Sequence, residues 1–384
     1  MPNEHIVIIL TLSAIVIISP YISSLIRLPT APIEIVLGAI AGSFSLLNYE
    51  NHYFYVIAEI GFFYLMFLAG TEVNLNILLK LDKKLFKKGL LYLLVLYLAS
   101  FFFVVSFNFS KIFIFMFSLI SVGLIMSLFK EFGKDKKWLN LSMNIGVLGE
   151  LLSIVLLTIT AALLEHGISK EMFESIGLLI AFIVVILLFF RLFKIVFWWH
   201  PEWKRFLVPK YGDKDEKDIR TSMSMFFFMV AMMYLLKLEV AFGAFVAGIF
   251  IATFFEHKEE LPHKLGIFGF GFLIPIFFIH VGSTFNLEQL KDLNLVLKAL
   301  FVTAIMIVVR LIASTVFYKI LSFKERFLFS LSHSQPLTLL IAIATLAYSS
   351  HTIDERNYYI LILASLFEVI VSMFVIMKVG KRVV

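Results

Sequence analysis

The chain has 384 residues with a formal net charge of +6, no cysteine, 61% hydrophobic residues and only 16% charged ones. A soluble domain carries roughly 25% charged residues and could not cover this much apolar surface. Without cysteine there is no disulfide and no thiolate metal site, and the basic excess sits in short loops between apolar runs, which points to membrane topology rather than nucleic acid.

Apolar runs of about 20 residues follow one another along the chain, each long enough to cross a hydrocarbon core about 30 Å thick. Backbone groups in lipid need internal partners, so the spans are helices or a closed barrel. Barrel strands would be about 10 residues with strict alternation, whereas these runs are longer and apolar all round. The expected fold is an all-α polytopic membrane protein of about 13 transmembrane helices. The spans fall roughly at 5–26, 31–48, 54–72, 88–108, 111–129, 139–164, 173–198, 220–236, 239–255, 265–285, 296–320, 326–349 and 357–379. The short ones are expected in the protein interior. The first run lacks a basic flank and a small-residue cleavage site, so it reads as a span and not as a cleaved signal.

Lys and Arg set the orientation. Connections after odd-numbered spans hold Lys83, Lys84, Lys87 and Lys88, then Lys134, Lys136 and Lys137, then Lys204, Arg205, Lys210, Lys214, Lys217 and Arg220. With Lys381 and Arg382 that face collects about two dozen basic residues against roughly six opposite, which puts the N-terminus outside and the C-terminus in the cytoplasm of a bacterial-type inner membrane. Trp198, Trp199 and Trp203 close span 7 as interfacial anchors.

The charged loop at roughly 200–219 divides one transmembrane domain into two similar halves. Ile33 to Ala39 matches Leu238 to Ala244, Gly70 to Leu75 matches Gly282 to Leu287, and Leu148 to Leu152 matches Leu366 to Ile370. The paired spans are 2 and 9, 3 and 10, 6 and 13. An odd number of spans separates the members of each pair, so the second copy is expected upside down. Inverted repeats with discontinuous helices at the midplane are a signature of secondary transporters.

An ionisable group inside a span is costly, and its default reading is functional. Glu150 lies mid-span among apolar residues, with Gly146 and Gly149 giving room for close approach. A carboxylate there can hold either a proton or a cation; the bland reading is a structural carboxyl bonded across helices. Arg310 keeps its proton and needs an anionic partner, either Glu368 or Glu150, with Glu368 favoured. Span 5 carries Ser121-Val122-Gly123, and span 12 carries Ser332-His333-Ser334-Gln335-Pro336-Leu337-Thr338. Proline frees a carbonyl and serines can satisfy an unwound backbone, so both spans are expected to break there unless Pro336 merely kinks its helix. Glu34, Glu59, Glu72 and Glu239 lie nearer span ends and read as structural or gating groups. His280 and His333 are candidate pH sensors, although a lone histidine in a helix is more often simply hydrogen-bonded. There is no P-loop, GxGxxG, HExxH or GxSxG, so neither an enzyme nor a cofactor or nucleotide site is expected.

These residues resemble the monovalent cation:proton antiporter-2 family, which includes Kef-type and bacterial sodium/proton antiporters. The likeness rests on Ala58-Glu59-Ile60-Gly61 with Phe67 to Glu72, on Phe242 to Gly248, and on Pro275 to Gly282, and it covers roughly residues 10–378. The resemblance implies a homodimer in which helices 4–6 and 11–13 form a moving core, helices 1–3 and 8–10 a dimerisation scaffold and helix 7 a linker. It places the family's ion-binding carboxylate on Glu150 and its helix 11 basic residue on Arg310. Two departures stand out: the family commonly has two adjacent polar residues where this chain has Gly149-Glu150, and often Ser-Thr where it has Ser121-Val122. The appended nucleotide-binding domain of Kef proteins is not expected.

The resulting expectation is electroneutral exchange of Na+ or K+ for H+ at Glu150. Ser121 and backbone carbonyls near Val122, Ser334 and Gln335 would complete the oxygen shell, Arg310 would neutralise Glu368, and Gly123 and Pro336 would mark the helix breaks. The alternatives are a sodium-coupled solute symporter, a channel, or a non-transporting homologue serving as a sensor or partner platform.

Overall fold

The structure, a computed structural model, describes residues 2–380 except 27, 74–81, 123–124, 126–127, 130–131, 134, 168, 204–214, 256–257 and 259. Gly123, Asn74, Leu75, Lys134, most of the loop at 200–219, and Lys381 with Arg382 therefore lie outside the described residues. Among the described residues all regular structure is helical: α1 (Pro2–Ile26), α2 (Thr30–Ser43), α3 (His52–Thr71), α4 (Lys83–Ser106), α5 (Phe113–Ser118), α6 (Lys137–His166), α7 (Lys170–Trp199), α8 (Lys217–Leu236), α9 (Val240–Phe254), α10a (Leu261–Phe268), α10b (Ile274–Ser283), α11 (Leu293–Ser314), α12a (Phe323–His333), α12b (Leu337–Ser349) and α13 (Glu355–Gly380). Nine of these stretches are long and apolar enough to cross a bilayer. The shorter α2 and α9 serve as interior elements; every residue of α9 except Ala252 is buried.

Two sets of helices pack chiefly among themselves. In the first, α3 lies along α9 and α2 along α10b, with α1 and α8 outside them. In the second, α11 is central and touches α4, α5, α12a and α13, while α6 lies against both halves of α12. The first set is fastened by glycines at helix crossings. A Cβ on Gly38 would run into the Ile279 carbonyl and one on Gly282 into that of Ile35; in the same way Gly70 meets Phe245 and Gly248 meets Phe67. In both crossings each glycine meets the carbonyl three residues before the other glycine. Gly243, matched to Gly38 in the sequence, packs on Met229 and Met233 of α8.

Three spans differ from their expected outlines for local reasons. Span 2 stops at Ser43, where Ser45 turns the chain with φ 56°. Span 10 contains a π-turn at Gly269–Leu273. Pro275 has no N–H to continue the α-ladder, and the Tyr64 hydroxyl donates to the Leu265 carbonyl at 3.1 Å. In span 5 the helix α5 ends at Ser118 and gives way to extended chain, and helical conformation returns at Ile125, Leu128 and Phe129.

Candidate functional site

The site lies where α6 meets the end of α5. Gly146 and Gly149 let the extended segment rest directly on α6: a Cβ on Gly146 would lie 2.8 Å from Val122 Cγ1, and one on Gly149 2.5 Å from Ile120 Cδ1. Backbone amides freed by the break then find partners on α6. The Val122 N–H donates to Glu150 Oε2 at 3.3 Å and the Ile120 N–H to Ser153 Oγ at 3.2 Å. The Ser121 hydroxyl donates to Glu150 Oε1 at 3.0 Å. Glu150 is wholly buried, and among the described residues no Lys, Arg or His forms an ion pair with it. The carboxylate is thus held by neutral donors in a dry place.

Arg310 is engaged elsewhere. Its NH1 donates to Glu368 Oε1 at 2.9 Å and to the Met306 carbonyl at 2.8 Å. Its NH2 donates to the Leu119 carbonyl, at the start of the α5 break, at 2.7 Å. Arg310 and Glu368 are both fully buried. A pair so enclosed costs desolvation that mutual attraction and added hydrogen bonds must offset, and the two carbonyls supply those bonds.

Helix 12 is interrupted at Ser334-Gln335-Pro336. The Ser334 hydroxyl donates to the Ser330 carbonyl at 3.1 Å. Gln335 is buried with both amide atoms unpartnered, and Glu368 Oε2 and Ser372 Oγ on the facing α13 are unpartnered too. His333, at the end of α12a, is fully buried and bonded through both ring nitrogens, to the Tyr92 hydroxyl at 2.8 Å and the Ser142 carbonyl at 2.9 Å.

Glu72 is the C-cap residue of α3, half-buried, with its Oε2 enclosed and without a hydrogen-bond partner among the described residues. Glu59 and Glu239, with Tyr55, Tyr234 and His280, line a cavity of about 640 Å3. That cavity enters from the start of α3 and reaches Thr158, two turns of α6 beyond Glu150, or about 12 Å along the axis. His280 is bonded to the Tyr49 carbonyl at 3.2 Å, and Glu34 accepts from Ser19 at 3.2 Å.

Interrupted helices beside buried carboxylates are the arrangement in which secondary transporters hold their ion sites. Residues 10–379 match the sodium/hydrogen exchanger transmembrane family, and the chain belongs to that family. A putative Na+/H+ antiporter of Bacillus subtilis is 25% identical over 93% of this chain, which spans only 60% of that relative's length. The Na+/H+ antiporter of Enterococcus hirae is 23% identical over 95% of both chains. The fold is similar to that of the sodium proton antiporter MjNhaP1 from Methanocaldococcus jannaschii, with a TM-score of 0.71, 14% identity and 99% of this chain covered. These matches support the sodium/hydrogen exchanger family at large and do not single out the Kef-type branch suggested by the motifs.

Proposed function

We propose that the protein is a secondary antiporter exchanging a monovalent cation, Na+ before K+, for protons through Glu150. The observation that carries this reading is the contrast between two buried carboxylates: Glu368 has a permanent cation in Arg310, while Glu150 has only hydroxyl and amide donors. An unpaired charge is costly to carry across a membrane, so Glu150 crosses with either a proton or a metal cation, and competition for one group couples the fluxes. Gln335 and the carbonyls near Val122 and Ser334 supply further oxygens, and Glu72 stands beside the path on the scaffold. One competing carboxylate implies electroneutral exchange. The reciprocal glycine contacts support inverted repeats, and the separate packing of the two helix sets supports an elevator in which α4–α6 and α11–α13 move against α1–α3 and α8–α10, with α7 as linker. A homodimer in a bacterial inner membrane, N-terminus outside, completes the proposal.

The test is proton flux in liposomes holding the purified protein, with Na+, K+ and Li+ added in turn. Wild type should exchange at least one of them and Glu150→Gln none. Exchange surviving in Glu150→Gln would remove Glu150 from the mechanism, and a dependence of steady-state exchange on membrane potential would remove the one-for-one ratio.

A further inference from the structure

Arg310 and Tyr92 occupy corresponding places in the two halves. Tyr92 precedes Arg310 by the same interval that separates Glu150 from Glu368. Each reaches from the fourth helix of its half to the break of the other half's helix: Arg310 on α11 to Leu119 of the α5 break, Tyr92 on α4 to His333 at the α12 break. One bridge carries a positive charge and the other does not. The Ser142 carbonyl can only accept, so Nε2 of His333 bears the ring proton and Nδ1 accepts from the Tyr92 hydroxyl. The ring is wholly buried and no carboxylate pairs with it among the described residues, so the imidazole is neutral, and these two bonds fix it in one tautomer. Phe329 and Phe317 enclose it: the Phe329 ring lies 4.4 Å from His333 and 5.3 Å from Tyr92, and Phe317 5.6 Å from Tyr92. A hydrogen bond sealed from water in this way is stronger than one in contact with it. A Cβ on Gly146 would sit 3.4 Å from His333 Nε2 and 2.8 Å from Val122 Cγ1. The ring thus packs beside Gly146, one helical turn from Glu150 and the glycine on which Val122 also rests.

We propose that the Tyr92–His333–Ser142 bridge is a neutral pin. It positions the Ser334-Gln335 segment against α4 and α6, as Arg310 positions the other break, while leaving Glu150 without a competing cation. Tyr92 and His333 are positioning residues for cation binding, and this assignment rests on the exchange proposed above.

Two readouts keep the proposals apart. Hydrogen–deuterium exchange of the peptide covering residues 330–340 reports the pin without any transport, and cation-dependent proton flux reports its effect. In Tyr92→Phe and His333→Ala the peptide should exchange at least fivefold faster, and the cation KM should rise three- to tenfold with maximal rate within twofold. His333→Gln offers an N–H to Ser142 and a carbonyl to Tyr92, and it should recover at least half of both effects. Unchanged hydrogen exchange in correctly folded Tyr92→Phe overturns the pin, whatever flux does. Faster hydrogen exchange with an unaltered KM, or a loss of maximal rate alone, overturns the positioning role. If wild type carries no flux while the peptide loosens as stated, the pin stands and the antiport reading falls.

Discussion

Glu150, Arg310 and Glu368 are legible as intramembrane charges because hydropathy alone marks them, and the preference of Arg310 for Glu368 agrees with the ion pair in the structure. The meaning of Gly149 is not legible. It looks like a lost ligand until Ile120, distant in sequence, is seen filling the space where a side chain would stand. Overpacking of this kind costs about 1–3 kcal/mol. Gly149→Asp alone should therefore lower the melting temperature in detergent, and Ile120→Thr in the same chain should recover at least half of the loss; an additive loss would show that Ile120 is not the obstacle. Glu72 reads from its place at a span end as a structural or gating group; the enclosure of its Oε2 is a tertiary fact, set by how the end of α3 meets the core, and nothing in its neighbours announces it.

At the scale of the helix, the interruption of helix 12 could be read from Pro336 and its serines, since backbone chemistry is local. The π-turn in helix 10 is less legible: Pro275 marks a break in the ladder without saying how the turn before it closes, and the Tyr64 hydroxyl on the Leu265 carbonyl is a tertiary contact. The glycine crossings fall between these cases: the glycines are visible, their partners are not. Gly38→Ala and Gly248→Ala should each cost at or above the top of the about 1–3 kcal/mol range for overpacking, because the obstructing atoms are carbonyls that cannot rotate away. Gly177→Ala on α7, where nothing lies within 4 Å, should be neutral or stabilising by up to about 1 kcal/mol. Thermal unfolding of the three variants in one detergent separates these outcomes.

For the whole molecule, the order of apolar spans and the basic bias of alternate loops sufficed for an all-helical membrane fold, whereas the ends of short interior helices were set by neighbours. The absence of cysteine makes the orientation directly measurable. Glu50→Cys, before α3, should react with a membrane-impermeant maleimide in intact cells, and Lys84→Cys, in the first turn of α4, only after permeabilisation. The reverse pattern would invert the protein and place the 640 Å3 cavity on the cytoplasmic side.

The contact between Gly149 and Ile120 also bears on how such a chain can evolve. Neither position is free to change first: an acid at 149 meets the isoleucine, and a smaller residue at 120 leaves a void beside the carboxylate. A descendant with a second carboxylate must pass through a less stable ancestor or acquire both changes together. Ser121 and Val122 are held as closely, one by its bond to Glu150 and the other against Gly146, so under the proposed exchange the number of charges moved per cycle is inherited nearly unaltered.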